Sequence, residues 1–120
     1  KLVFALSYGA REELKDAIQK ISEKVKLGEL DSKNISDETI AQNLWTSEFG
    51  DPDLLIRTSG EIRISNFMLW QIAYTELYFS DLYWPDFSKA EFSKALEVFM
   101  KRKRRFGLTS SQIESKNKSL

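Results

Sequence analysis

The sequence predicts an α/β fold, a mainly parallel sheet flanked by helices, here incomplete. Three observations predict it. Two short continuous apolar runs, residues 2–6 (LVFAL) and 54–56 (LLI), read as buried parallel strands. Other stretches repeat apolar residues at helical spacing. The resulting order, strand, helix, helix, strand, helix, is that of a layered α/β sheet. At 120 residues and 42% hydrophobic, with 3 Trp, 4 Tyr and 8 Phe, the chain suits one domain of modest size with a packed core.

Each element has a local reason. Lys1 opens a run with no initiator Met, so the chain is expected to begin inside a domain. Residues 7–11 (SYGAR) make a tight strand-to-helix turn. Leu14, Ala17, Ile18, Ile21 and Val25 then form the apolar stripe of a helix that ends near Gly28. Ser36 is the predicted N-cap of a second helix, with Asp37 and Glu38 in its first turn, where the dipole favours negative charge. Ile40, Leu44 and Trp45 are expected to face inward, and residues 50–52 (GDP) to stop the helix. After the strand at 54–56, the apolar density of residues 67–74 predicts a largely buried helix, and residues 75–80 (TELYFS) are β-prone. Residues 84–87 (WPDF) read as a turn. Ser88 and Glu91 read as a capping box for a last helix with the stripe Phe92, Ala95, Leu96, Phe99 and Met100. The basic run 101–105 (KRKRR) suits that helix's C-terminus, Gly107 its cap, and the tail 108–120 is polar and expected to fray.

Composition excludes several chemistries. Eighteen basic and 18 acidic residues cancel, so no global field steers the chain toward nucleic acid. With no Cys there is no disulfide, thiolate nucleophile or Cys-bound zinc, which suits a reducing cytoplasm. With no His, catalysis must use carboxylates, arginines, hydroxyls, backbone amides or a metal held by oxygen. No apolar run is long enough to span a bilayer, and no phosphate-binding glycine loop or Asp-rich metal motif occurs.

Residues 57–66 (RTSGEIRISN) follow the second strand, and in parallel sheets ligands bind beyond the carboxyl ends of strands. Arg57 and Arg63 offer planar forks that match diphosphate oxygens, Thr58, Ser59 and Ser65 offer hydroxyls, and Gly60 allows close backbone approach. Amides at the start of the following helix would point at the same anion. The alternative is an exposed polar loop whose arginines pair with Glu61, and the residues alone leave both open. Glu76, a lone carboxylate among large apolar residues, needs a cation or an arginine; a structural salt bridge and a magnesium ligand are both open.

The run DPDLLIRTSGEIRISNFMLWQIAYTELYF, with WPDF and RRFG after it, resembles the C-terminal half of the cis-prenyltransferases of the undecaprenyl diphosphate synthase type. The resemblance runs from about Leu2 to Gly107 and leaves the tail outside; SYGAR matches the family's N-Y-G-G-R only in part, with Ser7 and Ala10 departing. It implies sequential cis-condensation of isopentenyl diphosphate onto farnesyl diphosphate, giving a long-chain lipid carrier precursor for cell-wall building. By position it implies Arg57, Arg63 and Ser65 as the isopentenyl diphosphate cradle, Glu61 as the group orienting the arginines, and Glu76 as a magnesium (Mg2+) ligand. Arg105 and Gly107 match an element that reaches the partner subunit's site in a homodimer, and the lipid product implies peripheral membrane contact. Nothing here matches the family's D-G-N-x-R-W-A segment. The chain therefore reads as the C-terminal part of a larger enzyme, inactive alone. A non-catalytic partner subunit is disfavoured by the retained cradle residues. An anion- or RNA-binding module built on KRKRR is disfavoured by the neutral charge.

Overall fold

The computed structural model describes residues 1–102. Arg105, Gly107, most of the basic run and the polar tail lie outside the described residues. The chain divides into two compact units. The first comprises Lys1–Leu55 and Ile62–Thr75, the second Ile56–Glu61 and the described residues from Glu76 on.

In the first unit α1 (Ala10–Lys26) carries Glu12 and Glu13 in its first turn and Lys24 and Lys26 in its last, each sign at the favourable end of the helix dipole. Ala10, Ala17 and Ile21 bury its inner face. It stops where predicted. Gly28 adopts φ 73°, Gly28 N–H donates to Val25 O at 3.1 Å, and Glu29 N–H donates to Lys24 O at 3.0 Å. These two bonds satisfy carbonyls that the helix end would leave bare, and the left-handed residue between them suits glycine. A short 3-10 turn, Ser32–Asn34, leads to α2 (Asp37–Asn43). Ser36 and Thr39 cap α2 reciprocally: Ser36 Oγ accepts from Thr39 N–H and Thr39 Oγ1 accepts from Ser36 N–H, both at 3.2 Å. α2 packs against α1, and Lys24 Nζ donates to Asn43 Oδ1 at 2.9 Å. Leu44 faces inward as expected, at 4% exposure. Trp45 does not; it is 46% exposed, and its indole N–H reaches out to Asp16 Oδ2 at 2.7 Å.

Two expected elements of this unit are corrected. Residues 2–6 form no strand; Leu2, Phe4 and Leu6 are exposed. A buried parallel strand exists only where neighbours complete its ladder and cover its faces. Among the described residues the sheet holds β1 and β2 alone. Residues 67–74 are a chain of turns rather than a helix. Ala73 N–H donates to Trp70 O at 3.4 Å and Thr75 N–H to Ile72 O at 3.1 Å, three residues back rather than four. Polar anchors outside the segment explain the break. Gln71 is held by Glu13, Thr75 Oγ1 donates to Pro52 O at 2.6 Å, and Ser65, Asn66 and Met68 all have positive φ.

β1 (Leu54–Arg57) and β2 (Glu76–Phe79) pair as a parallel two-stranded sheet. In the second unit the pairing continues past the strands: Arg57 O accepts from Ser80 N–H at 2.8 Å, Ser80 O from Gly60 N–H at 2.9 Å, and Leu82 O from Ser59 N–H at 2.7 Å. A 3-10 turn at Trp84–Asp86 stacks Trp84 on Phe87, ring centroids 6.4 Å apart. α3 (Lys89–Lys101) starts at Ser88, whose Oγ accepts from Glu91 N–H at 3.4 Å. The stripe expected to bury α3 is only partly inside. Ala95 is buried, whereas Phe92, Leu96 and Met100 are exposed.

Candidate functional site

Arg57 is the last residue of β1 and is half-buried, its carbonyl tied to Ser80. Ser59 and Gly60 follow with φ 71° and 67°, so the chain turns sharply off the strand end. Gly60 is required by that conformation rather than by crowding: an added Cβ would meet only Asp81 Oδ1, at an ordinary 3.6 Å. Arg57, Glu61 and Glu76 thus belong to the second unit, while Arg63 and Ser65 belong to the first. No helix begins at residue 67, so the expected helix-start amides are not there to serve an anion.

Glu76 opens β2 and Arg102 follows the end of α3. Arg102 Nη1 donates to Glu76 Oε2 at 2.8 Å and to Leu77 O at 2.9 Å, with the Glu76 side chain 23% exposed. Its geometry here is therefore that of a salt bridge. Among the described residues no group of three acidic side chains converges on a point where a metal ion could sit. Magnesium is commonly held by one or two carboxylates together with waters and substrate phosphates, and Glu76 could supply one such carboxylate.

The most organised polar group is one that the motif does not contain. Glu13, in the first turn of α1, is 1% exposed. Its Oε1 accepts from Thr46 N–H and Thr46 Oγ1, each at 3.2 Å; its Oε2 accepts from Gln71 Nε2 at 2.9 Å and from the Tyr8 hydroxyl. Gln71 Nε2 also donates to Thr46 Oγ1 at 2.6 Å, and Gln71 Oε1 is buried with no partner. Burial, and then Glu13 as hydrogen-bond partner and negative neighbour, push the Tyr8 hydroxyl well above its ordinary value. Tyr8 also packs edge-on against Trp45 and Phe67, at 6.0 and 5.5 Å between centroids. An open hollow of ≈ 500 Å³ lies beside it, lined largely by apolar groups including Val3, Phe49, Phe67 and Met68. Neither Arg63 nor Ser65 lines it.

A signal for Glu13 is present in the sequence. Ala10, Glu13, Ala17 and Ile21 recur at three- and four-residue spacing, which puts the carboxylate on the buried stripe. A first-turn glutamate ordinarily serves the helix dipole from the surface, and that ordinary role hides this one.

The second unforeseen arrangement involves Asn66, the last residue of RTSGEIRISN. Its carbonyl accepts from Ala10 N–H at 2.9 Å, its Oδ1 accepts from Arg11 N–H at 3.0 Å, and its Nδ2 donates to Glu12 Oε2 at 3.3 Å. The N-cap residue of α1, Gly9, has no side chain for this purpose, so Asn66 satisfies two orphan donors from far along the chain. Ser65 and Asn66 are consecutive left-handed residues, φ 48° and 63°. Such backbone costs roughly 1–2 kcal/mol per residue for most side chains, with Asn among the more tolerant.

The sequence profile of the prenyltransferase family of undecaprenyl diphosphate synthases matches residues 1–107. A tritrans,polycis-undecaprenyl-diphosphate synthase (GGDP specific) from Sulfolobus acidocaldarius is 55% identical over 107 residues, 89% of this chain and 41% of that protein. A ditrans,polycis-undecaprenyl-diphosphate synthase specific for (2E,6E)-farnesyl diphosphate, from Coxiella burnetii, is 51% identical over 114 residues, 95% of this chain and 48% of that protein. Among solved structures, lavandulyl diphosphate synthase from Lavandula x intermedia, in complex with dimethylallyl diphosphate, superposes with a TM-score of 0.83 at 45% identity, covering 86% of this chain and 44% of that one. The chain spans about half the length of the curated relatives it matches.

Proposed function

The chain belongs to the undecaprenyl diphosphate synthase family of prenyltransferases, and from that membership we propose that it carries the isopentenyl diphosphate cradle of a cis-prenyltransferase. The reaction joins the double bond of isopentenyl diphosphate to the first carbon of an allylic diphosphate. A carbon–carbon bond forms, the allylic carbon–oxygen bond breaks, diphosphate leaves with the electron pair, and a proton is lost as the new cis double bond closes. The chain's own part is to hold the diphosphate of the attacking unit. Arg57 and Arg63 bind its oxygens through forked donors, Ser65 adds a hydroxyl, and Glu61 orients the arginines. Fixing that diphosphate fixes the attacking double bond, which converts a bimolecular encounter into an oriented one.

The observation that carries the reading is the intact R-T-S-G-E-x-R-x-S-N-F sequence beginning on the last residue of β1, where parallel sheets receive ligands. The relatives differ in the allylic diphosphate that their names specify, so primer choice is left to residues outside the shared cradle. Farnesyl diphosphate is the primer in this proposal, and a cytoplasmic homodimer its assembly, with Arg105 and Gly107 serving the partner's site. Magnesium belongs to the proposal through Glu76 alone. Glu76, here bonded to Arg102, would supply one carboxylate to the ion, which would stabilise the negative charge of the leaving diphosphate. Arg63→Ala in the native full-length protein tests the cradle. Losing a charge-assisted bidentate contact should lower kcat/KM for isopentenyl diphosphate about a hundredfold or more, with the circular dichroism of the fold unchanged. Turnover within a factor of about two of wild type would reject the cradle.

A further inference from the structure

Building on that cradle reading, we infer that Asn66 is a positioning residue: it pins the Arg63–Ser65 stretch to the first turn of α1 and so sets where the Ser65 hydroxyl and the Arg63 guanidinium start from. Two needs close on one side chain. The first N–H groups of α1 lack acceptors within the helix, and Gly9 offers none, so Ala10 and Arg11 N–H donate to Asn66 O and Oδ1 at 2.9 and 3.0 Å. In return those bonds hold Ser65 and Asn66 in consecutive left-handed conformations, which persist only where the surroundings over-determine them.

Two further contacts make the fit directional. Gly9 leaves room for the Glu12 carboxylate and the Asn66 amide that meet there: a Cβ would crowd Glu12 Oε2 first and lie 2.9 Å from Asn66 Nδ2. Downstream, Gln71 is tied to the same turn of α1 through Glu13 Oε2 at 2.9 Å. The chain immediately after the cradle's first-unit residues is therefore tied to one helical turn twice, at Asn66 and again at Gln71. Asn66 itself touches no substrate in this arrangement; it acts through its neighbours Ser65 and Arg63.

The test titrates isopentenyl diphosphate into the native full-length protein and measures KM separately for isopentenyl and allylic diphosphates. It compares wild type, Asn66→Ala, Asn66→Asp, Gly9→Ala and Arg63→Ala, with circular dichroism establishing that each is folded. Asn66→Ala should weaken isopentenyl diphosphate binding about tenfold while the KM for the allylic diphosphate stays near wild type. Asn66→Asp keeps an acceptor for Arg11 N–H but replaces the donor to Glu12 Oε2 with a second carboxylate oxygen, so its loss should fall between wild type and Asn66→Ala. Gly9→Ala should reproduce the loss with Asn66 in place, and it decides the matter if Asn66→Ala fails to fold. If folded Asn66→Ala or Gly9→Ala binds isopentenyl diphosphate as wild type does while Arg63→Ala loses it, the inference is overturned and the cradle stands. Equal losses for both diphosphates also overturn it, as general loosening. If Arg63→Ala too binds as wild type, the cradle reading itself fails and this inference falls with it.

Discussion

Replacing Glu13 by alanine should be among the most damaging changes in the first unit, and the structure says why. Glu13 is 1% exposed and accepts four hydrogen bonds, from Tyr8, Gln71 and twice from Thr46. The Thr46 hydroxyl and the Gln71 amide retain each other at 2.6 Å once it is gone. The Thr46 N–H loses its acceptor, and the part-buried Tyr8 hydroxyl loses its carboxylate and keeps only Gln71 and the Met68 backbone; each lost bond costs about 1–3 kcal/mol. Relief from burying a carboxylate offsets part of this, and the vacated volume adds to it, giving an expected loss of about 3–5 kcal/mol. Glu13→Gln keeps the shape and one acceptor. Its amide would meet Gln71 Oε1, buried without a partner, after that side chain turns over. The glutamine variant should therefore lose only about 1–2 kcal/mol. Urea unfolding followed by near-ultraviolet circular dichroism, which reads the Tyr8–Trp45–Phe67 ring cluster, measures both. An alanine variant within about 1 kcal/mol of wild type would refute the claim that this carboxylate organises the unit.

Two more predictions concern single groups. Because burial and Glu13 raise the Tyr8 hydroxyl above its ordinary 10.0, the folded chain keeps that proton after the unfolded chain has lost it. The stability is present below pH 10.0 and lost as pH rises beyond it, by up to about 1.4 kcal/mol per pH unit from this group. Alkaline unfolding should accordingly be shallower in Tyr8→Phe than in wild type, and identical slopes would contradict it. Glu76→Gln removes a partly exposed ion pair with Arg102, so it should cost only about 0.5–1 kcal/mol in stability. If Glu76 also ligates magnesium in the full-length protein, the same variant should raise the magnesium concentration needed for half-maximal turnover; an unchanged titration leaves it a salt bridge.

What could be read in advance was whatever depends on neighbours in sequence. The ends of α1, α2 and α3 are legible because Gly28, Ser36 and Ser88 satisfy backbone groups within a few residues of themselves. β1 and β2 announce themselves by short β-prone runs. Residues 2–6 and 67–74 are misread for a common reason: apolar composition states that a segment wants burial, but not what will cover it or which polar anchors will bend it. Gln71 and Thr75 settle the second segment through Glu13 and Pro52, partners 58 and 23 residues away. The exposed Phe92 and Met100 on α3 carry the same lesson, since helical spacing describes a stripe without supplying its cover. At the site, Arg57, Arg63, Ser65 and Glu76 stand out by residue type against their surroundings. Asn66 and Glu13 do not, because a loop asparagine and a first-turn glutamate each have an ordinary local use. Their function here is long-range, 55 residues from Asn66 to Arg11 and 58 from Glu13 to Gln71.

In the proposed cradle two guanidinium groups and a hydroxyl receive one diphosphate. Diffraction from crystals of the native full-length protein grown with isopentenyl diphosphate tests it most directly. Diphosphate density is expected within hydrogen-bond distance of Arg57, Arg63 and Ser65 together. Well-ordered diphosphate bound elsewhere, or held by one arginine while the other is engaged by an acidic side chain, would contradict it.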